Sequence, residues 1–282
     1  MTNIIYGASG FLGSSLLNWL NKRNEETICL SFRPQKSEKC ISELELLLSD
    51  KQIGTIYNVC ASQSSGDEIS DLNDLIASNV IWPNSIASLL KKQKSKTKLI
   101  CFGSSWQFDD TKECNPFNLY ASTKMAAQDL LKHYAMDGVK IAYLILYDTY
   151  GPGDTRRKII NLIINALLLG EPLDMTAGDQ LIDLVHIEDV LNAINIIRDE
   201  LSTKQENSLL TYSIRSGKPR TVKSILQIMR KILDKKEDKI TLGKRPYRER
   251  ERFNLPIIFS TPPGWSINVQ LEDGLKMLLN KK

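Results

Sequence analysis

Only two histidines, His133 and His186, occur in 282 residues, too few for a histidine-rich metal centre. Cysteine is scarce and lacks a pairing pattern. Cys29, Cys40, Cys60, Cys101 and Cys114 form an odd set with no C-x-x-C spacing. That argues against a disulfide framework and a thiolate zinc site, and reads as the reduced thiols of a cytoplasmic protein; no metal is expected. Long apolar runs are missing too. The longest, residues 159–169, is 11 residues broken by Asn161 and Asn165, too short to cross a bilayer. Charge of one sign is not in excess: 37 Lys and Arg against 33 Asp and Glu leave +4, so no nucleic-acid partner is indicated. Met1-Thr2-Asn3 leads straight into an apolar strand pattern without a basic region, so no signal peptide is expected. What is present, 42% hydrophobic and 25% charged residues, suits a soluble globular chain with a substantial core.

The first 150 residues alternate short apolar runs with helical spacing. Strands are predicted at 3–6, 27–31, 54–60, 98–102 and 140–146, and helices at 11–23, 42–48, 74–92 and 120–135. Unbroken apolar strands separated by helices predict an α/β fold with a doubly wound parallel sheet covered on both faces. The connection between the second and third strands looks short and predicts an abbreviated crossover. From about Gly151 the rhythm changes, with helices at 159–169, 188–200, 221–233 and 271–279, a strand at 181–187, and a turn at Pro262-Pro263-Gly264. No internal repeat or long linker is visible. The expected division is therefore residues 1–150 and a smaller mixed α/β part, residues 151–282, packed closely on the first, with room for strand exchange between the two.

Gly7-Ala8-Ser9-Gly10-Phe11-Leu12-Gly13 joins the first strand to the first helix. In that context Gly7 permits the tight turn, Gly10 lets a pyrophosphate approach the backbone, and Gly13 lets helix and strand pack closely. The helix N-terminus adds unpaired N–H groups and a positive dipole end. The first part thus reads as a Rossmann domain for a nicotinamide dinucleotide. Where a ribose 2′-hydroxyl requires an Asp or Glu, this chain has Ser31-Phe32-Arg33, with Lys36 close by. A hydroxyl and a guanidinium suit a 2′-phosphate, so NADP(H) is favoured, with NAD(H) as the alternative.

Tyr120-Ala-Ser-Thr-Lys124 is the one place in the chain where a Lys follows a Tyr by four residues. On a helix that spacing points both side chains to one face. The preceding strand ends in Gly103-Ser104-Ser105, at the carboxyl edge of a parallel sheet, where such folds bind ligands. Together with the glycine loop, Tyr150-Gly151-Pro152-Gly153-Asp154, residues 183–190 and Gly264-Trp265, these motifs resemble an extended short-chain dehydrogenase/reductase. Within it the chain is most similar to the nucleotide-sugar epimerase, dehydratase and reductase branch. The nearest likeness is to reductases of nucleotide-linked 4-keto-6-deoxyhexoses, of the abequose/paratose synthase type.

The resemblance implies that Tyr120 exchanges a proton with the sugar oxygen, that Lys124 lowers the phenol's pKa and holds the nicotinamide ribose, and that Ser104 orients the carbonyl, with Ser105 as the alternative. It assigns Gly7, Ser9, Gly10, Phe11, Leu12, Gly13, Ser31, Arg33, Cys60, Ala61, Asn79, Tyr120, Lys124 and Tyr147 to the dinucleotide. Gln63, Trp106, Asp148, Lys158 and Arg248 fall to the nucleotide diphosphate sugar, with Arg250 and Arg252 also available for its diphosphate. Related dehydratases carry carboxylates just after the catalytic hydroxyl, and reductases that also epimerise carry a Cys and a His where Trp106 and Gly153 stand here. Their absence points to simple ketoreduction. A 4-epimerase with tightly bound NAD is the alternative enzyme. A non-catalytic NADP-sensing regulatory protein is the alternative of another class, against which the intact Ser, Tyr and Lys set argues.

Two family arginines are replaced by Ile145 and Ile182, through apolar packing or through altered nucleotide binding. Apolar replacement is favoured, since exchanging buried charges for hydrophobic groups can be energetically neutral. His186 and Asp189 read as structural, with Asp189 capping or bracing. Family members pair through two helices, here 79–92 and 120–135, so a homodimer is expected. Its apolar residues would be Ile81, Ile86, Leu89 and Leu90 with Met125, Ala126, Ala127, Leu130, Leu131 and Tyr134.

Overall fold

The computed structural model describes residues 1–63, 68–108, 115–203, 207–255 and 257–279. Cys114 lies outside them; the four described cysteines are free thiols. The chain opens with β1 (Thr2–Tyr6), buried along its whole length, and enters α1 (Phe11–Lys22), which turns Phe11, Leu16 and Leu20 inward. Then follow β2 (Thr27–Leu30), α2 (Ser37–Asp50), β3 (Ile53–Asn58) and α3 (Ile69–Ile76). A π-helical turn, Ala77–Ile81, carries α3 into α4 (Trp82–Lys92). Next are β4 (Lys98–Ser104), α5 (Leu119–Met136) and β5 (Ile141–Leu146). The remainder comprises β6 (Asp148–Tyr150), α6 (Ile159–Leu169), β7 (Leu173–Asp174), β8 (Leu181–Ile182), β9 (Leu184–His186), α7 (Ile187–Thr203) and β10 (Leu210–Ile214). It closes with β11 (Arg220–Thr221), α8 (Val222–Ile232), β12 (Ile240–Thr241) and α9 (Leu271–Leu279).

The central sheet is parallel throughout, in the order β10-β5-β4-β3-β1-β2. Strand order reverses between β1 and β3, which opens a crevice at their carboxyl ends. Leu44, Ile86, Leu90 and Leu131 pack one face with Ile4, Ile56 and Leu99. Leu16, Leu20, Ile194 and Ile197 pack the other with Ile5, Ile100 and Leu144. The doubly wound sheet expected from the unbroken apolar strands is therefore present. The last strand, β10, comes from beyond residue 150 and pairs with β5 from Leu210 opposite Ala142 to Ile214 opposite Leu146. A third apolar cluster is built from α6, α8 and α9 around Ile163, Leu167, Ile225, Leu226 and Leu275.

Local differences from the sequence reading have clear causes. The crossover from β2 to β3 is not abbreviated, because α2 runs for 14 residues and buries Cys40 and Leu44. The helix expected from residue 74 begins at Ile69. The strand expected over 181–187 breaks into β8, antiparallel to β11, and β9, parallel to β6. Asp183 stands at the break. Its buried carboxylate accepts hydrogen bonds from the Ser216 (2.7 Å) and Gly217 (3.0 Å) backbone N–H groups, which turns the chain. Asp189 braces the C-terminal segment by accepting from Asn268 N (2.9 Å) and Val269 N (3.1 Å). The Trp265 indole donates to the Asp189 carbonyl at 2.9 Å. Ile145, where an ion pair was in question, is fully buried in the apolar core, and Ile182 is half-buried beside the third cluster.

Candidate active site

The glycine loop is shaped by contacts that only glycine tolerates. Gly7 has φ +89°, and a Cβ there would lie 2.6 Å from the Cys60 nitrogen, so the loop rests directly on the end of β3. A Cβ on Gly13 would sit 2.1 Å from the Gly7 carbonyl oxygen, which is how α1 comes to start against β1. Gly10 occupies the N-cap with no side-chain cap, and α1 carries no acidic residue in its first turn. The first N–H groups of α1 therefore remain available to an anion, with the helix dipole behind them. Ser31 and Arg33 are exposed just past β2, and no carboxylate pairs with Arg33 among the described residues. Phe32 between them stacks on Trp82, with centroids 4.4 Å apart and planes at 18°, which anchors that loop.

Ser104 ends β4 and caps the short 3₁₀ turn Ser105–Gln107. Its Oγ accepts from the Trp106 N–H at 3.3 Å, leaving the hydroxyl proton free to donate. The Ser105 hydroxyl is buried and accepts from Arg252 at 3.3 Å. Asn118 caps α5 by accepting from the Ala121 N–H at 3.0 Å, which aims Tyr120 and Lys124 along one face. Lys124 Nζ lies 5.8 Å from the centre of the Tyr120 ring. The Lys124 side chain is buried, and its ammonium has no hydrogen-bond acceptor among the described residues. Such a group requires a polar partner, and ribose hydroxyls would supply one. With the orphan N–H groups of α1, this makes the residues a fit for a nicotinamide dinucleotide.

One expectation is corrected by this electrostatic arrangement. Burial pushes the Tyr120 phenol up to about 12, and the charge that pulls it back is Arg156, not Lys124. Lys124 is itself pushed below the ordinary lysine range by burial. Arg156 escaped the sequence reading. Its guanidinium stacks 4.6 Å from the Phe11 ring, donates twice to Asp154 at 2.7 Å, and reaches the Thr149 carbonyl at 3.0 Å.

The other candidates divide. Cys60 and Ala61 follow β3 beside the glycine loop, and the Cys60 thiol donates to Asn58 Oδ1 at 3.0 Å. The Asn79 side chain is already engaged, accepting from Ser62 N (3.0 Å) and donating to Ser62 O (3.0 Å) and Thr123 Oγ1 (3.1 Å). It braces the β3 loop against α5. Tyr147 is buried, with its phenol raised by burial. Gln63 is exposed at the edge of the described residues. Trp106 is half-buried, tilted on Phe117 at 4.9 Å, with the Arg248 guanidinium 5.9 Å from its ring centre. Arg250 donates to the Pro116 carbonyl at 2.9 Å and to Asn115 Oδ1 at 2.7 Å. The three arginines thus lay the 248–252 segment over the Ser104 loop. Lys158 lies 3.9 Å from Asp148, its pKa lowered by burial. A cavity of about 70 Å³ bounded by Ile182, Leu184, Ile225 and Leu271 contains none of these residues. Among the described residues no cluster of three His, Cys, Asp or Glu could hold a metal, and no helix is long and apolar enough to cross a membrane.

A phosphate loop at the switch point, with Ser, Tyr and Lys at the carboxyl edge of β4 and on α5, defines an extended short-chain dehydrogenase/reductase. Residues 3–214 match the NAD dependent epimerase/dehydratase family, and the chain belongs to that family. It is 30% identical to CDP-abequose synthase of Yersinia pseudotuberculosis over 89% of this chain and 90% of the relative. It is 25% identical to CDP-abequose synthase of Salmonella muenchen over 99% and 97%. The fold superposes on UDP-glucose 4-epimerase from Thermotoga maritima, solved with UDP-glucose, with a TM-score of 0.82 at 18% identity, covering 99% of this chain and 98% of that one.

Proposed function

We propose that the protein is an NADPH-dependent ketoreductase that converts a nucleotide-linked 4-keto-6-deoxyhexose to the 4-hydroxy sugar, in O-antigen deoxysugar biosynthesis in the cytoplasm. The observation that carries the reading is the makeup of the Ser104 loop. Ser105, Trp106 and Gln107 follow the hydroxyl, and none can protonate a leaving group or a carbon. The likeness to CDP-abequose synthases supports a CDP-linked sugar. Residues 1–150 with β10 form the dinucleotide part, and the rest of 151–282 forms the sugar-binding part.

The dinucleotide, when bound, supplies hydride. Its phosphates would be held by the N–H groups of residues 11–13, its ribose by Lys124, and its 2′-phosphate by Ser31 and Arg33. Ser104 donates a hydrogen bond to the carbonyl oxygen and orients it, keeping its own proton. Tyr120, protonated across the neutral range because burial pushes its phenol up to about 12, delivers a proton to that oxygen as charge develops. Trp106 gives the sugar or base a flat apolar wall, while Asp148, Lys158, Gln63 and Arg248 line its polar side. In an assay with a CDP-linked 4-keto-deoxyhexose, added NADPH is consumed one for one with product. A 4-epimerase would carry dinucleotide through purification and consume none, and a sensor would bind NADP without turnover.

Arg33→Ala should erode the preference for NADPH over NADH. A charge-assisted hydrogen bond worth about 1.5–3 kcal/mol predicts a loss of roughly tenfold to a hundredfold. Unchanged kcat/KM ratios for the two cofactors would place the 2′-phosphate elsewhere.

The expected homodimer uses fewer residues than the sequence reading assigned. Ile86, Leu89, Leu90, Ala127 and Leu131 are buried inside the subunit's own core, Met125 and Tyr134 are partly covered by it, and Ile81, Leu130 and Ala126 stay exposed. Ile81 and Leu130 retain 52% and 50% exposure, large values for apolar residues on adjoining helices. Light scattering should give twice the 31.9 kDa chain mass, and Leu130→Glu should halve it. A parent protein of single-chain mass would refute the pairing.

A further inference from the structure

Beneath Ser104 and Lys124 the protein buries two glutamines and a tyrosine. Gln107, Gln128 and Tyr143 are 0%, 3% and 1% exposed. Burying amides and a phenol is costly unless they are bonded, and here the bonds run between elements. Gln107 Oε1 accepts from the Ser104 backbone N–H at 2.8 Å, and its Nε2 donates to Gln128 Oε1 on α5 at 2.9 Å. The Tyr143 hydroxyl, on β5, donates to the Lys124 carbonyl at 2.7 Å and lies 3.5 Å from Gln107 Oε1. One neutral network therefore grips the main chain of Ser104 on one side and of Lys124 on the other.

Its place is built for it. A Cβ on Gly103 would lie 2.4 Å from Gln107 Oε1, 2.4 Å from Tyr143 Cε1 and 2.8 Å from Ile145 Cδ1. Glycine at 103 makes room for the Gln107 side chain to fold back, and Ile145 closes the space from β5. Neither amide carries charge, so the grip does not change with pH.

We propose that Gln107, acting with Gln128 and Tyr143, is a positioning residue that holds Ser104 and Lys124 in mutual register for turnover. The proposal rests on the reading of Ser104, Tyr120 and Lys124 given above. Ser104 ends a strand and Lys124 lies inside a helix, so each is rigid within its own element. Their relative placement depends on what joins β4 to α5, and this network does so through the backbone of both. Misplacement of a reacting group by about 1 Å can cost roughly a hundredfold in rate, so loss of the join should appear in turnover rather than in binding.

Gln107→Met keeps the volume and removes the hydrogen bonds. With NADPH and a CDP-linked 4-keto-deoxyhexose, kcat should fall by about tenfold or more. The KM for the sugar and the dissociation constant for NADPH should stay within about threefold of the parent. Gln128→Met should behave alike, whereas Gln128→Glu keeps an acceptor for Gln107 Nε2 and should recover most of kcat. That recovery, and the split of kcat from KM, would not follow from mere loss of packing. If Gln107→Met fails to fold, Tyr143→Phe removes only the hydroxyl that holds Lys124 and should again lower kcat alone. A folded Gln107→Met protein, or failing that Tyr143→Phe, with kcat within about twofold of the parent overturns the proposal. Tyr120→Phe, run alongside, separates the failures. If it is inactive while Gln107→Met is normal, only this inference falls; if it is fully active, the reading of the site falls with it.

Discussion

Tyr120→Phe should bind NADPH as tightly as the parent protein while reducing the keto-sugar roughly a hundredfold to ten-thousandfold more slowly, the range that a positioned general acid contributes. The substitution removes one hydroxyl from a ring held by α5. The ring's setting depends on the Asn118 cap and the helix, not on the hydroxyl, so fold and cofactor site should survive. Residual turnover would come from Ser104 and from orientation. The pH dependence carries a sign. Burial pushes the phenol up to about 12, and Arg156 only partly offsets this, so the proton donor is loaded at neutral pH and is lost as pH rises toward that value. The parent kcat for reduction should therefore stay level from about pH 6 to 9 with respect to this group and fall only above that. Arg156→Met, by removing the opposing charge, should move the alkaline fall upward. Single-turnover rates across that range test both statements, and near-parental turnover by Tyr120→Phe would reject Tyr120 as the donor.

The second large effect concerns two glycines six residues or less from Gly7, whose substitution should separate binding from stability. An alanine Cβ at position 10 meets only the Gly7 carbonyl oxygen, at 3.7 Å, and Gly10 has an ordinary φ of −77°. Gly10→Ala should melt at nearly the parental temperature. Its methyl group nevertheless occupies the face from which a pyrophosphate reaches the α1 N–H groups, so NADPH affinity should fall by about a hundredfold or more. At position 13 the same methyl would stand 2.1 Å from Gly7 O and 2.9 Å from Ala8 Cα. Gly13→Ala must push the loop off the helix, at an overpacking cost of about 1–3 kcal/mol against a helix-propensity gain of about 1. It should lose dinucleotide affinity together with melting temperature. Titration by protein fluorescence and thermal melts of both variants decide the matter. Full NADPH affinity in Gly10→Ala would mean that the phosphates do not lie at this helix end.

Much of this site could be read from the chain because its chemistry is local. The glycine loop announces itself within seven residues, and Tyr120 and Lys124 share a helix face through their spacing alone. The Asn118 cap lies within the same turn. Gln107, Gln128 and Tyr143 could not be read in the same way, since the network joins residues 15 to 36 positions apart on three elements. A single signal was available: Gln128 lies four residues beyond Lys124 and eight beyond Tyr120, on the same face. Arg252 on Ser105 spans 147 positions, and nothing in its charged surroundings marks it from its neighbours. Arg156 stood beside a recognised motif, yet only the fold sets it over Phe11 and makes it the charge that acts on Tyr120.

Local sequence chemistry determined the parallel sheet, the phosphate loop and the Tyr-Lys face, because strand burial, positive-φ glycines and helical spacing are properties of short segments. Tertiary structure decided the rest. It inserted β10 beside β5, since that edge needed a partner whose residues lie more than sixty positions on, at 210–214. It split the strand at Asp183, whose carboxylate found N–H groups more than thirty residues away. It spent the Asn79 amide on Ser62 and Thr123, and it buried half of the residues that the family resemblance placed on a dimer face. In each case the deciding energy is desolvation, of a sheet edge, a carboxylate, an amide or an apolar side chain. What shields a group from water is set by whichever distant segment packs against it, and that is information no single stretch of chain contains.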